Sequence, residues 1–186
     1  MTTITSLTEF KTFRENLTGS IGLIPTMGAL HDGHLSLVKK SNQACDNTIV
    51  SIFINPTQFS PTEDLDTYPK TIKKDVELLK TLNVDAIFLP TNEEIYPNGY
   101  STFINEESLS LELEGKSRPT FFKGVTTIVT KLFNIVNPTH CFFGEKDAQQ
   151  LRVVKKIVSD LNFSIKIISC PTIREKNGLA MSSRNE

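Results

Sequence analysis

The sequence predicts an α/β fold: a mainly parallel, doubly wound sheet with helices on both faces. Two observations carry that reading. First, apolar, β-branched runs of strand length recur at residues 21–25, 48–54, 84–90, 140–145 and 164–171, and segments with apolar residues at helical spacing lie between them. Second, every stretch of unusual composition follows the carboxyl end of one of those runs. PTMGALHDGH, NPTQF, GEKDAQQ and PTIREKNGLAMSSRN all sit there, and that is the edge at which such sheets bind ligands.

Taken in order, SLTEFKTFRENL (6–17) carries Leu7, Phe10, Phe13, Arg14 and Leu17 at helical spacing, which predicts a short amphipathic helix. IGLIP (21–25) is a buried strand ended by proline. HLSLVKKSNQAC (34–45) places Leu35, Val38 and Lys39 on one helical stripe, and TIVSIFI (48–54) returns to strand. Together these form a βαβ unit and imply a parallel sheet. NPTQFSPTEDLDTYP (55–69) has three prolines and reads as a long loop, of the kind that is usually functional or disordered. A helix over 70–82 turns Ile72, Val76 and Leu79 inward, and VDAIFLP (84–90) is a third strand. Residues 91–122 read as irregular, with a possible edge strand at STFIN (101–105). VTTIVTKLFNIV (125–136) is an apolar helix, HCFFGE (140–145) a strand, 147–161 a helix opened by an acid, and SIKIISCP (164–171) the fifth strand.

Composition narrows the function. The 186 residues suffice for one sizeable domain, and 20 basic against 21 acidic side chains leave a formal charge of -1. That balance provides no broad basic field for nucleic acid. No apolar run approaches the roughly 20 residues of a membrane span, and the first residues lack the pattern of a signal peptide. Cys45, Cys141 and Cys170 are scattered, with no CxxC, and read as reduced, buried thiols of a cytoplasmic protein.

The chemistry concentrates in a few motifs. There is no GxGxxG. LEGKS (113–117) ends like a P-loop, but Ser110 stands where the leading glycine belongs, so GKS reads as loop. Gly28 and Gly33 in MGALHDGH let backbone approach a ligand closely. The helix N-terminus that follows favours phosphate, and His31 and His34, at i and i+3, can face one ligand together. The same residues also fit a helix cap with two surface histidines, or half of a zinc site. Only His140 remains to complete such a site, and no carboxylate cluster joins it. Lys146, between a strand and a helix, fits a polyphosphate and Asp147 a ribose hydroxyl, or both form a solvated turn. Gln58 and Gln150 could orient a small polar substrate or be plain surface. MSSRN (181–185) offers two hydroxyls and a guanidinium for terminal phosphates.

In this order, PTMGALHDGH, FINPTQF, LEGKSRP, FFGEKDAQQL and GLAMSSRN closely resemble the motifs of the pantoate–β-alanine ligase family. HDGH resembles the HIGH signature of the nucleotidyltransferase superfamily, and MSSR its KMSKS-type loop. The resemblance runs from IGLIPT to the last residue. It implies a Rossmann-like domain and ATP-dependent condensation of D-pantoate with β-alanine through a pantoyl-adenylate, releasing AMP and pyrophosphate. It also implies Mg²⁺ carried on the ATP phosphates and a homodimer.

By the same resemblance His34, His31 and Lys146 are catalytic, with His34 the family's acid. ATP would lie along Met27, Gly28, Ala29 and Leu30, then His31, Asp32, Gly33 and His34. Gly144, Glu145, Lys146 and Asp147 would hold its ribose and phosphates, Ile173 and Met181 its adenine, and Ser182, Ser183 and Arg184 the far end of the triphosphate. Gln58 and Gln150 would bind pantoate, Gln58 would also meet β-alanine, and Asn55 would support the loop of Gln58.

The resemblance also marks two departures. Family members often carry His after RPT, where this chain has Phe121. They also continue into a small C-terminal lid domain, which residues 1–186 are expected to lack. Two competing readings follow: a nucleotide-binding module with little turnover, and a different small nucleotidyltransferase. Pyrophosphate release separates the first from an active ligase, and nucleotide preference the second.

Overall fold

A computed structural model describes residues 1–60, 65, 68–69 and 71–185. The chain builds a six-stranded, all-parallel sheet in the order β1-β4-β3-β2-β5-β6. The strands are β1 (Thr2–Ile4), β2 (Ile21–Thr26), β3 (Asn47–Ile52), β4 (Ala86–Phe88), β5 (His140–Gly144) and β6 (Lys166–Cys170). Counted from β2, the order is 3-2-1-4-5, the Rossmann-like winding, with its reversal between β2 and β5.

The five sequence-predicted strands are all present, each within a few residues of its expected ends. β1 was not expected. It has three residues, two of them exposed, and exists because β4 offers it a parallel partner in register Thr2 to Ala86. A strand that short has too few alternating residues to show a period.

Helices cover both faces, because alternate strand residues point to opposite sides. Ile21, Leu23, Ile49 and Phe88 face a core built with α1 (Leu7–Glu15), α6 (Phe121–Val136) and α7 (Ala148–Asp160). Ile24, Val50, Ile87 and Phe142 face a second core built with α2 (Asp32–Ala44) and α3 (Ile72–Lys80). Two short helices, α4 (Asn92–Ile95) and α5 (Glu114–Ser117), lie in the long connections.

Several expectations are corrected. STFIN forms no strand: residues 101–105 have no regular secondary structure, and Ile104 N–H donates to Thr127 Oγ1 of α6 at 3.0 Å instead of to a sheet edge. GKS forms the last three of the four residues of α5 rather than loop. The apolar helix starts at Phe121, four residues early, because Phe121 and Phe122 bury with it. In α2 the inward stripe is Leu37, Val38 and Ser41, and Lys39 is exposed. In α3 Ile72 is exposed at 41% while Asp75 is fully buried, an exchange with a functional reason described below. Cys45 is only half-buried, while Cys141 and Cys170 are buried. Within the expected 55–69 loop, residues 61–64, 66 and 67 lie outside the described residues, as does the expected helix start at 70. Residues 56–58 turn as a short 3-10 helix. No helix among the described residues is long and apolar enough to cross a membrane.

Candidate active site

The sheet reversal leaves a cleft of about 210 Å³ at the carboxyl ends of β2 and β5. Its position follows from topology: the chain leaves β2 and β5 in opposite directions and the space between them is not filled by a crossover helix.

The segment after β2 makes one wall. Gly28 turns the chain with φ +86, a value that L side chains rarely adopt, and Ala29 follows at φ +49. The left-handed alanine is unfavourable by itself, and Asp75 holds it. Its carboxylate accepts from Ala29 N–H at 3.0 Å and Leu30 N–H at 2.9 Å, with Thr71 Oγ1 donating at 3.2 Å. Thus a charged residue occupies the inward stripe of α3 to satisfy two buried amides of the MGAL turn. Asp75→Ala would leave both unpaired and is expected to cost about 2–4 kcal/mol, read as a shift of the urea midpoint with unchanged slope. A cost below about 1 kcal/mol would mean that the turn holds itself.

α2 starts directly after this turn. His31 is its N-cap, in extended backbone, and its Nδ1 accepts from Gly33 N–H at 3.1 Å. His34, three residues on, accepts at Nδ1 from His31 N–H at 3.4 Å, completing a reciprocal capping box. A ring that accepts at Nδ1 carries its proton on Nε2. Both tautomers are therefore set by backbone, and both rings are donors at Nε2. Their centroids lie 4.1 Å apart. The cap reading and the ligand reading of these histidines are compatible, because the cap uses Nδ1 alone. His140, by contrast, begins β5 at the opposite edge of the sheet, and no group of three metal-ligating side chains converges among the described residues.

His34 stays neutral. Burial, reinforced by the neighbouring His31 and Lys146 charges, lowers its pKa to about 3. In the unfolded chain the ring titrates near about 6.5. The unfolded state therefore takes up the proton first. His34 leaves stability unaffected above the unfolded value and lowers it progressively as pH falls from about 6.5 to about 3. In a histidine NMR titration, the His34 Cε1–H shift is expected to stay flat from about pH 8 to about pH 4. A midpoint near 6.5 would contradict the desolvated, positively flanked setting of this half-buried ring.

β5 makes the second wall. It ends at Gly144 and passes through a 3-10 turn, Glu145–Asp147, into α7. Lys146 Nζ lies 3.3 Å from Asp147 Oδ1, and both are partly exposed. Asp147 makes no side-chain cap bond to α7, so its carboxylate stays on the cleft side with Lys146 and Gln150.

The far end of the cleft is apolar, floored by Phe53, Val125, Val129 and Phe143. Gln58, nearly buried at 8% exposure, closes it. Its Oε1 accepts from Asn55 Nδ2 at 3.1 Å and its Nε2 donates to Met27 Sδ at 3.1 Å. Asn55 thus braces the turn of Gln58. Arg118 spans the rim: it donates to Glu114 Oε1 at 2.7 Å and to Gln58 O at 3.3 Å, and lies 3.8 Å over the Phe121 ring. Phe121 is therefore a buried platform for a guanidinium.

The tail closes the near end. Residues 173–181 fold back on themselves, with Met181 N–H donating to Ile173 O at 3.0 Å. Ser183 Oγ then donates to Ala29 O at 3.0 Å, and Arg184 lies 5.9 Å over Tyr68. Burial raises the Tyr68 phenol above its usual range, partly offset by Ser183 and Arg184.

The cleft thus gathers Met27, His31, His34, Gln58, Lys146, Asp147, Gln150, Ser182, Ser183 and Arg184 from four separate segments. Gly28, Ala29 and Leu30 lie buried beneath it. Asp32, Gly33, Gly144 and Glu145, and the paired Ile173 and Met181, fall outside its lining. The sequence did not single out Tyr68, Glu114 or Arg118 as cleft residues, nor Asp75 and Tyr96 behind it. Asp75 left a readable signal, an acid on the apolar stripe with Val76 and Leu79, and Glu114 and Arg118 fall within the LEGKSRP motif.

A Rossmann-like sheet with paired histidines at a helix N-terminus beside its reversal defines a domain of the HIGH nucleotidyltransferase type. The family model for pantoate-β-alanine ligase matches residues 1–186, and the chain belongs to that family. The pantothenate synthetase of Acetivibrio thermocellus is 55% identical over 183 residues, covering 98% of this chain and 65% of that protein. That of Pseudothermotoga lettingae is 57% identical over 166 residues, covering 89% and 59%. The chain thus spans less than two thirds of the length of these relatives. The crystal structure of pantoate-β-alanine ligase from Francisella tularensis, complexed with beta-gamma ATP and β-alanine, superposes with a TM-score of 0.97 at 44% identity. It covers all of this chain and 72% of its own.

Proposed function

We propose that this protein condenses D-pantoate with β-alanine at the expense of ATP, through a pantoyl-adenylate, releasing pyrophosphate and AMP. The observation that carries the proposal is the pairing, in one cleft, of two histidines fixed as Nε2 donors with Lys146 at one end and an apolar pocket closed by Gln58 at the other. The membership of the chain in the family supports it, as does the complex of the Francisella relative.

The triphosphate lies along the N-terminus of α2, whose partial positive charge attracts it. Asp147 takes a ribose hydroxyl, and Ile173 and Met181 flank the base. Pantoate sits with its gem-dimethyl carbon on the apolar floor and its oxygens on Gln58 and Gln150. Its carboxylate attacks the α-phosphorus, the acyl–phosphate bond forms, and the bond to pyrophosphate breaks. Negative charge shifts toward the oxygens around that phosphorus and onto pyrophosphate. His31 and His34 donate to the former, and Lys146, Ser182, Ser183 and Arg184 to the latter. The amine of β-alanine then attacks the acyl carbonyl, AMP leaves, and the amine proton passes to solvent or phosphate. Placement beside the trapped adenylate, rather than a strong base, supplies this second step.

Mg²⁺ belongs to this proposal as a passenger on ATP. Among the described residues, the two carboxylates at the cleft, Asp147 and Glu114, are paired with Lys146 and Arg118 and do not converge, so they form no cage for the ion and no step here runs through it. A homodimer and a cytoplasmic location are parts of the same reading, the first testable as a doubled mass in sedimentation.

The test is pantoate-dependent exchange between ATP and labelled pyrophosphate. Exchange that requires pantoate supports adenylate formation. Exchange without pantoate, or with CTP in place of ATP, would move the protein to another nucleotidyltransferase activity.

A further inference from the structure

Gln58 can serve a substrate only with the correct end of its amide forward, and the structure shows what decides which end that is. Asn55, 1% exposed, lies directly behind it. One end of the Asn55 amide meets only acceptors: Gln58 Oε1 at 3.1 Å and the carbonyl of Gly124 at 3.1 Å. The other end meets only donors: Thr57 N–H at 3.4 Å, Thr57 Oγ1 at 2.9 Å and the hydroxyl of Tyr96 at 2.8 Å. The Gly124 carbonyl cannot donate, so the first end is Nδ2 and the second Oδ1. Asn55 therefore holds Oε1 of Gln58 away from the cleft and leaves Nε2 facing it, with one proton donated to Met27 Sδ at 3.1 Å and the second directed to a ligand.

Tyr96 is the distant member of this relay. It caps α4, its ring packs edge-on to Tyr100 at 5.1 Å and tilted to Phe53 at 6.2 Å, and Lys131 lies 5.7 Å over it. The Thr57 hydroxyl, 3.2 Å away, donates to the same Oδ1, so the two hydroxyls share one acceptor. Burial raises the phenol to about 12, so it remains a donor throughout the working pH range.

We infer that Tyr96 is a positioning residue: through Asn55 it orients the Gln58 amide so that N–H groups face the cleft, selecting a substrate with acceptor oxygens at that point. This rests on the proposed function, in which pantoate is that substrate. Tyr96 touches no ligand and acts on affinity alone. Its loss would remove one of three donors at Oδ1 and leave Thr57 and the Gly124 carbonyl to hold the Asn55 amide, so the Gln58 amide would be held less firmly toward the pantoate oxygens.

The experiment is calorimetric titration of pantoate and, separately, of ATP into the wild type, Tyr96→Phe, Asn55→Ala and the double variant. Tyr96→Phe removes one buried hydrogen bond and keeps the ring, so about three- to tenfold weaker pantoate binding is expected, with ATP binding unchanged. In steady state the same variant is expected to raise the KM for pantoate without lowering kcat. Because Tyr96 acts through Asn55, the double variant is expected to bind pantoate no more weakly than Asn55→Ala alone. Unchanged pantoate affinity in Tyr96→Phe, an equal loss of ATP affinity, or additive losses in the double variant would each overturn the inference. Should Asn55→Ala fail to fold, the split between pantoate and ATP in Tyr96→Phe decides alone. A wild type that binds ATP but not pantoate would refute the functional reading itself, and the inference with it.

Discussion

His34→Ala is expected to lower pantoate-dependent ATP–pyrophosphate exchange by about two to three orders of magnitude, the usual cost of one preorganised donor at a developing charge. The size follows from how the ring is held. Its Nδ1 accepts the His31 amide, its pKa is about 3, and its Nε2 proton is therefore present at every working pH. The donor needs no proton uptake before reaction and no reorientation during it. Alanine removes the donor and offers no substitute, while the helix keeps the Gly33-to-His31 bond of its cap. The lost His31–His34 bond is long, at 3.4 Å, so the unfolding midpoint is expected to stay nearly unchanged. The effect should fall on the exchange rate with a much smaller change in the KM for ATP, the mark of an interaction made mainly in the transition state. A loss below about tenfold would remove His34 from the transition state and leave Lys146 and the helix terminus as the main stabilising groups. A loss carried by KM instead would make the histidine an ordinary ATP contact.

The sequence shows those parts of the molecule whose structure is locally determined. β2, β3 and β5 are apolar because helices cover both of their faces, so their runs stand out without neighbours to explain them. The placement of MGALHDGH, GEKDAQQ and the SSRN tail at strand ends was legible for the same reason, since a strand's end is a local property and the switch-point rule does the rest. β1 was hidden because its only reason to exist is β4. Ile72 and Asp75 exchanged their expected environments because the partner of Asp75 is the backbone of Ala29 and Leu30, more than forty residues away in the chain. Helical spacing reports which side faces inward, not what waits there. Tyr68, Tyr96, Glu114 and Arg118 come from 55–69 and 91–122, connections without a period, and tertiary packing alone places them. The outer part of the relay behind Gln58 belongs to this second kind: the motif names Asn55 and Gln58, but nothing in the sequence brings Gly124 and Tyr96 to Asn55.

Gly124→Ala is the sharpest test of that relay, because it disturbs the turn of Gln58 without changing any side chain that lines the cleft. Gly124 lies in the first turns of α6, where α6 crosses the 56–58 turn. A Cβ there would stand 2.5 Å from Thr57 O and 2.6 Å from Gln58 N, both backbone atoms that no rotamer change can move away. Two effects then compete. Alanine favours the helix by about 1 kcal/mol over glycine. The overpacked crossing costs about 1–3 kcal/mol, because either α6 or the 56–58 turn must retreat. The net change in stability is therefore expected to be small or moderately destabilising. The functional change is expected to be large, since any retreat lengthens the Asn55-to-Gly124 bond, now 3.1 Å, and carries Gln58 with it. Misplacement of a substrate-positioning group by about 1 Å costs on the order of a hundredfold. Pantoate affinity is expected to fall by at least about tenfold, with ATP affinity nearly unchanged, because the ATP end of the cleft is built on α2 and the 145–147 turn. Equal losses for both ligands would show that α6 itself had shifted, with the apolar floor at Val125 and Val129. Unchanged pantoate binding would show that the turn can retreat without moving Gln58, and the close approach of α6 would then be a packing feature only.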